Sequence, residues 1–410
     1  MKKRRDCTGQ PPESDGELSP LLTPLQGQST TPHKKRRYLL ASRKGAMFSG
    51  LVLLLLLGLG LGVIVLRALS VTQQWVFQTN NAMFSPAVAN GIVYVASMDG
   101  KLHAVDVQSG QEKWSFRTGG YIYYSTPTVA HGLVYIASDR GGLYALNAQA
   151  SNGGKLYALD AQSGQEKWSF PLGSTVEYTS PVVANSLIYM GAGAGPGYLR
   201  KLVALDAVSG YLKWAWLYQG GTGIESTPAV ANGIVYIGAG DGKLYALDAQ
   251  SGQEKWSFPG GDFNSAPAVA NGIVYTSAYG GEVYALDALS GQKKWSFSTG
   301  SPNYVAMTVA HGIVYANTTE GKVYTFDVRL GSQRWTYQAK EDILYATPVV
   351  VNNMLYLVTS GGEIVALDAF SGQVKWSYEV AEVQSSPAIA NGIVYVGSFG
   401  GELSAIQGPS

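Results

Sequence analysis

From about residue 72 the chain alternates short apolar runs with glycine-bearing polar turns, in an order that repeats. The unit is clearest in the segment 227–258, TPAVANGIVYIGAGDGKLYALDAQSGQEKWSF. Pro-Ala-Val-Ala is short and small enough to crowd near an axis. Asn-Gly follows, and both positions tolerate the positive φ that a tight hairpin demands. Ile-Val-Tyr-Ile is a β-branched second strand. Asp241-Gly242 turns the chain into Lys-Leu-Tyr-Ala-Leu-Asp, and Ser251-Gly252 turns it again into Glu-Lys-Trp-Ser-Phe. Four antiparallel strands per roughly 40 residues, radially repeated, predict a propeller blade.

Counting gives the number of blades. Trp75, Trp114, Trp168, Trp214, Trp256, Trp295, Trp335 and Trp376 mark the period, with spacings of 39, 54, 46, 42, 39, 40 and 41. The first strand, centred on proline, recurs near 86, 127, 181, 228, 267, 307, 348 and 387, with Met307 replacing proline once. The eighth unit has no tryptophan strand after it, whereas Gln73-Gln74-Trp75-Val76-Phe77 stands alone at the front. The prediction is an all-β, eight-bladed propeller over 72–408, its last blade completed by that N-terminal strand, which removes the two free sheet edges of an open array. Two irregularities interrupt the repeat. The sequence 141–147 is echoed by 155–160, as an extra hairpin or a bulging loop, and 194–198 widens a loop of the next blade.

The N-terminal part reads differently. Residues 1–46 carry ten Lys/Arg against four Asp/Glu and are rich in Pro, Ser, Thr and Gln. They are expected to form a disordered cytoplasmic tail. Residues 47–66 carry no charge, and 20 residues of helix cover about 30 Å, the thickness of a hydrocarbon core. With Lys34, Lys35, Arg36, Arg37, Arg43 and Lys44 on its N-terminal side, the positive-inside rule predicts a single-pass anchor over 47–67 with the propeller outside the cytoplasm. A cleaved leader is the alternative; its length argues against it. Cys7 is the single cysteine, so the exported part holds no disulfide. The basic clusters serve topology, and no nucleic-acid partner is expected.

The string A-x-D-x-x-x-G-x-x-x-W, as in Ala246 to Trp256, resembles the pyrroloquinoline-quinone-like propeller repeat. The match covers about 72–407. Similar repeats build quinoprotein alcohol dehydrogenases and the propeller lipoprotein of the outer-membrane barrel-assembly machinery. The resemblance implies that all eight tryptophans dock each blade on the next. The chain departs from the dehydrogenases, which carry an adjacent-cysteine disulfide over the cofactor, a calcium site and a catalytic Asp. No cofactor is expected on that ground.

Candidate chemistry is sparse. His33 is in the tail, His131 and His311 replace Asn in hairpin turns, and His103 takes an aromatic strand position. Zinc needs three or four convergent ligands, so no metal site is expected. Asp106, Asp160, Asp206, Asp248, Asp287, Asp327 and Asp368 hold one repeated position, where a carboxylate fixes the Ser-Gly turn. A residue needed once for catalysis would not recur seven times. Gly-Gly pairs such as Gly280-Gly281 precede strands, not helices, and do not cradle phosphate.

Function is expected where the repeat departs from its own consensus, in the loops leading from each tryptophan strand to the next proline strand. These contain Phe84, Tyr121, Tyr123, Tyr124, Tyr178, Glu225, Phe263, Asn264, Asn303, Tyr304, Tyr345 and Gln384. By the family arrangement they share a face with the turns at Asp99, Asp139, Asp241 and Glu320. Aromatic faces with amides suit a glycan or an extended peptide. The expected function is a monomeric, membrane-anchored binding or scaffolding module without catalysis, its ligand a protein, peptide or glycan. The alternatives are an envelope assembly factor of the barrel-machinery type and a quinone-dependent oxidoreductase.

Overall fold

The computed structural model of the protein describes residues 71–139, 153–176, 178–193, 200–218, 220, 223–224, 226–263, 265–303 and 305–409. The expected tail, the apolar run 47–67, the first copy of the duplication and the 194–198 insertion lie outside them. The described residues form an all-β eight-bladed propeller of eight four-stranded antiparallel sheets. Among them no helix is long and apolar enough to cross a membrane.

The first strand, β1 (Thr72–Gln78), precedes blade 1, which consists of β2 (Ala87–Ala89), β3 (Ile92–Ser97), β4 (Lys101–Asp106) and β5 (Glu112–Arg117). Six further blades follow the same order over 128–171, 182–218, 229–259, 268–298, 305–338 and 349–379. Blade 8 supplies three strands over 388–407, and β1 pairs with the last of them from Thr72↔Gln407 to Gln78↔Glu402. Blade 8 in turn meets blade 1: the Trp75 indole donates to the carbonyl of Val107 at 2.9 Å. The ring is closed by the strand that the sequence left unpartnered.

Burial explains the choice of residues along each blade. The second strands are almost wholly apolar, and all six residues of β3 are buried, because blades cover both faces. The outer strands alternate exposed and half-buried positions, as in Glu254–Pro259. The core therefore lies between blades. One cluster joins Tyr94, Leu102 and Ala104 of blade 1 to Val134, Ile136 and Leu159 of blade 2. An equivalent cluster joins Val93 and Val95 to Tyr395 and Leu403 across the closure.

Each of the five interfaces from blade 1 to blade 6 is fastened by a tyrosine and a tryptophan. Tyr94 and Trp114 of blade 1 both donate to the Ala161 carbonyl of blade 2, at 2.9 and 3.3 Å. Tyr236 and Trp256 do the same to Ala288, at 3.0 and 3.1 Å. The indole lies flat on the Ser-Gly turn of the next blade, where only glycine fits. A Cβ at Gly252 would fall 2.6 Å from the Trp214 ring, and φ there is +71°.

Two blades depart from the unit. In blade 2 the second copy of the duplication, Lys155–Asp160, is the third strand, paired on both sides. In blade 6 the inner strand, Val305–Ala310, has six residues where the others have three. Proline has no N–H to give a ladder and stops the inner strand elsewhere. Met307 has one, and pairs with Ala316.

Candidate functional site

The lead-in loops and the turns between second and third strands occupy one face, joined by backbone bonds. Met98 N donates to Ala82 O at 2.9 Å, and Asp139 N to Tyr121 O at 2.7 Å. The opposite face carries the Asn-Gly and Asp-x-x-Ser-Gly turns. There Asp106 Oδ1 accepts from Gln108 N and Ser109 N, both at 3.0 Å. Those bonds, led by Ser109 N–H, hold the Asp106 carboxyl down at about 2.

The lead-in loops differ in length; in blade 1 the loop carbonyl that bonds the turn, Ala82 O, lies four residues before proline. The loop carbonyl that bonds the turn lies five residues before proline in blades 4, 5 and 8 (Gly223, Asp262, Glu382). In blades 2, 3 and 7 it lies six before (Tyr121, Thr175, Asp342). The longer loops each place a tyrosine three residues before proline, with φ of 49° at Tyr124, 55° at Tyr178 and 55° at Tyr345. A left-handed backbone costs a bulky residue roughly 1–2 kcal/mol. Structures hold such residues where the surroundings over-determine them, often at ligand sites.

These three tyrosines converge on the axis. Tyr124 and Tyr178 stack with centroids 5.2 Å apart and planes 12° apart. Tyr345 meets Tyr124 at 4.8 Å and Tyr178 at 5.9 Å. Blades 3 and 7 are opposite one another in a ring of eight, so the Tyr178–Tyr345 contact spans the centre. Tyr123 joins edge-on, 4.6 Å from Tyr124, and Phe84 supports both from beneath. Gln384 of blade 8 accepts from the Tyr124 hydroxyl at 3.0 Å. Burial and the neighbouring phenols push Tyr124 and Tyr178 well above the ordinary tyrosine value, so both remain neutral donors. Tyr345 is 58% exposed and is the accessible ring of the group.

The axial cavity that these rings border has a volume of about 560 Å³ and takes lining residues from all eight blades. That is within the range of roughly 300–1,000 Å³ usual for small-ligand sites. Its wall includes a belt of hydroxyls directly before the prolines. Thr126 N donates to Ser180 Oγ at 2.9 Å, Ser180 N to Thr227 Oγ1 at 3.0 Å, Thr347 N to Ser386 Oγ at 2.8 Å and Ser386 N to Ser85 Oγ at 2.9 Å. The belt links neighbouring blades and presents hydroxyl groups to the cavity.

Of the residues singled out by sequence, Tyr123, Tyr124, Tyr178, Tyr345 and Gln384 form this group, and Asn303 lines the cavity with Nδ2 3.1 Å from Thr319 Oγ1. Phe84 is a correction, since at 2% exposure it packs under the rings and offers no ligand surface. Tyr121 stays apart from the rings, 48% exposed. Phe263 is a correction. It is fully buried between blades 4 and 5, against Phe258 and Tyr284. It sits four residues before proline in a short loop, the same buried position as Ile224 and Val383. Glu225, Asn264 and Tyr304 lie outside the described residues. Sequence reasoning missed the hydroxyl belt, although Ser or Thr precedes proline in six units. It also missed Asn317, the one amide at a position that is Ala, Gly, Ser or Val in the other blades. His103 is buried on β4, with Nδ1 2.7 Å from Glu112 Oε1. Among the described residues no group of three or more His, Cys, Asp or Glu could hold a metal ion.

A family model described as outer membrane protein assembly factor BamB matches residues 63–152, 148–257 and 215–406. The chain belongs to this family of PQQ-like propellers. BamB from Moraxella catarrhalis has a similar structure, with a TM-score of 0.67 at 19% identity over 82% of this chain and 100% of that one. A quinohemoprotein alcohol dehydrogenase from Pseudomonas putida aligns with a TM-score of 0.67 at 14% identity, over 82% of this chain and 76% of that one. Structures of the PQQ-like fold thus include both an assembly factor and enzymes, and likeness at such identities shows the fold alone. The serine/threonine-protein kinase AfsK of Streptomyces coelicolor is 30% identical over 191 residues, which are 46% of this chain and 20% of the kinase. The chain therefore spans about a fifth of that relative's length.

Proposed function

We propose that this PQQ-like propeller is a membrane-anchored, extracytoplasmic binding module whose ligand surface is the lead-in-loop face. The observation that carries the reading is the closure of the axis by Tyr124, Tyr178 and Tyr345, three rings on a left-handed backbone that the repeat does not require. Strained, half-exposed aromatics over a neutral cavity serve contact better than packing. The anchor rests on the uncharged run 47–66 and the basic residues before it. Protease added to intact cells should degrade the propeller and spare the N-terminal tail.

The test uses the full chain on glycan and peptide arrays, with Tyr345→Ala and Leu289→Ala compared. Leu289 is 74% exposed on the opposite face. The Tyr345 variant should lose binding by about 10-fold or more, as expected for an aromatic hot spot, and the Leu289 variant should not. Equal binding by all three would sink the proposal.

The family match supports a second reading, an assembly factor for outer-membrane proteins. It requires partner proteins instead of small ligands, and crosslinking from Tyr345 should then capture a β-barrel polypeptide. The quinone-dependent reading has less support. Pyrroloquinoline quinone carries three carboxylates, whereas no described residue lining the axial cavity is Lys, Arg or His. A buried trianion without cationic partners is strongly disfavoured, so the described residues do not fit that group.

A further inference from the structure

The axial cavity is most irregular in blade 6. Met307 replaces the proline there, and the inner strand runs past the point where the others stop. Opposite Ala306 in that extended ladder stands Asn317. Its side chain is 2% exposed and lines the cavity. Its Nδ2 donates to the Ala346 carbonyl of blade 7 at 3.1 Å, which fixes the orientation of the amide. Its Oδ1 is buried and accepts no hydrogen bond from any described residue. Buried amides are normally satisfied on both sides, and a residue confined to packing would be Ala, Gly, Ser or Val, as in the other blades.

The rest of the described lining restricts what can supply the missing donor. It is uncharged, combining threonine and serine hydroxyls with tyrosine rings and the apolar side chains of Met307, Ile343 and Leu344. A charged ligand would lose hydration with no counter-charge in return. A purely apolar one would leave the hydroxyl belt and Asn317 Oδ1 unsatisfied. A pyranose meets both demands, since its C–H face stacks on phenol rings while its equatorial hydroxyls donate and accept at the edge.

We propose that the axial cavity is a subsite for one neutral sugar residue, with Asn317 Oδ1 accepting from a sugar hydroxyl and the tyrosines Tyr124, Tyr178 and Tyr345 covering the ring. This rests on the lead-in-loop face being the ligand surface, and it names the ligand class. No bond is made or broken. An extended peptide is the competing ligand, and its free N–H groups would need a strand edge rather than a hydroxyl belt.

The test is calorimetric titration of the full chain with neutral trisaccharides of glucose, mannose and N-acetylglucosamine, with glucuronic acid trisaccharide, and with uncharged peptides. At least one neutral sugar should bind with a Kd of about 1 mM or tighter, and the acidic sugar about 10-fold more weakly or not at all. Asn317→Val should weaken the sugar about 10-fold; it also forfeits the Nδ2 bond to the Ala346 carbonyl, so a modest fall in the thermal midpoint with a still cooperative melt is expected. Should that variant misfold, protection of Tyr345 fluorescence from iodide by the sugar in the unaltered chain supplies the second readout. Sugar binding that ignores Asn317→Val, or no neutral sugar bound at about 10 mM, overturns the proposal. Peptide binding that is lost in Tyr345→Ala but ignores Asn317→Val would overturn it too, while leaving the lead-in-loop reading intact.

Discussion

The two faces of the propeller obey opposite rules. On the turn face, seven blades repeat one device: an Asp that binds the backbone of its own turn, with a Lys or Arg from the outer strand beside it, as Lys255 stands 3.1 Å from Asp248. On the lead-in-loop face the sequences diverge from blade to blade, and even loop length varies by two residues. The difference teaches where each kind of selection acts. Uniform residues solve a problem that recurs at every blade, namely docking on the next. Divergent residues answer to something met once, at the axis.

The comparison breaks most severely if the ring does not depend on uniform docking. Removing β1 would strip the last sheet of its outer strand and cut the Trp75 bond to Val107. The exposed edge of Glu402–Gln407 would then invite association with other chains. The shortened protein should lose its cooperative melt by circular dichroism and elute as aggregates. A melt as sharp and as high as that of the intact chain would show that closure is dispensable.

Next in size is a single methyl group on the turn face. Gly252→Ala puts a Cβ 2.6 Å from Trp214, at φ +71°. Gly233→Ala, at φ +75°, meets nothing within 4 Å. The second change should cost about 1 kcal/mol, for the left-handed backbone alone. The first adds an overpacking penalty of roughly 1–3 kcal/mol. Denaturant melts that give the two variants equal stability would refute the docking role of the turn.

Much of this was legible in the sequence, because repetition exposes it. Eight copies of Trp, seven of Asp and the orphan strand at Trp75 fixed the blade count and the closure. The lead-in loops were legible only as places of divergence. Phe263 and Tyr345 look alike in sequence, both aromatics just before a proline strand. One residue of loop length sends the first into the interface between blades and the second, through a positive φ, over the axis. Asn317 was hidden for another reason. It lies inside a regular strand, where a polar residue reads as an ordinary variation until its buried oxygen is found without a partner in a residue that lines the cavity.

Acid should loosen the turn face before the other. The carboxyls of Asp106, Asp248, Asp287 and Asp327 are held at about 2 in the folded chain, against an ordinary 3.8. Between those values the unfolded chain binds more protons than the folded one, so stability falls as pH drops from about 4 toward 2. The groups are exposed, so each share is small. The thermal midpoint should decline over that window, and Asp248→Asn, which keeps an acceptor but does not titrate, should flatten the decline. An unchanged slope would remove Asp248 from the account.

The smallest effect concerns blade 6, one of two blades whose tryptophan makes no bond to the next blade among the described residues; the other is blade 7, where Trp376 meets Tyr356 at 64°. Trp335 has no partner for its buried Nε1 among the described residues, and its ring meets Tyr315 at 60°, against 42–50° for the six tryptophans that do bond the next blade. The cause lies across the sheet. Other blades place Ala opposite the tryptophan and pair it directly, as Ala246 with Trp256. Blade 6 has Thr325, whose Oγ1 donates to Trp335 O at 2.7 Å and accepts from Trp335 N at 3.0 Å, so the hydroxyl stands where the backbone pair would form. A side chain that takes over ladder bonds in this way shifts the strand it binds. The Ala369 carbonyl is bonded by Tyr315 alone, at 3.0 Å. Thr325→Ala should restore the pairing and stabilise the chain by about 1 kcal/mol, the net worth of one hydrogen bond. By the same reasoning Trp335→Phe should cost about 1 kcal/mol less than Trp256→Phe, because only the second forfeits a bond. If Thr325→Ala proves destabilising in urea melts, the hydroxyl supports blade 6 instead of displacing its tryptophan.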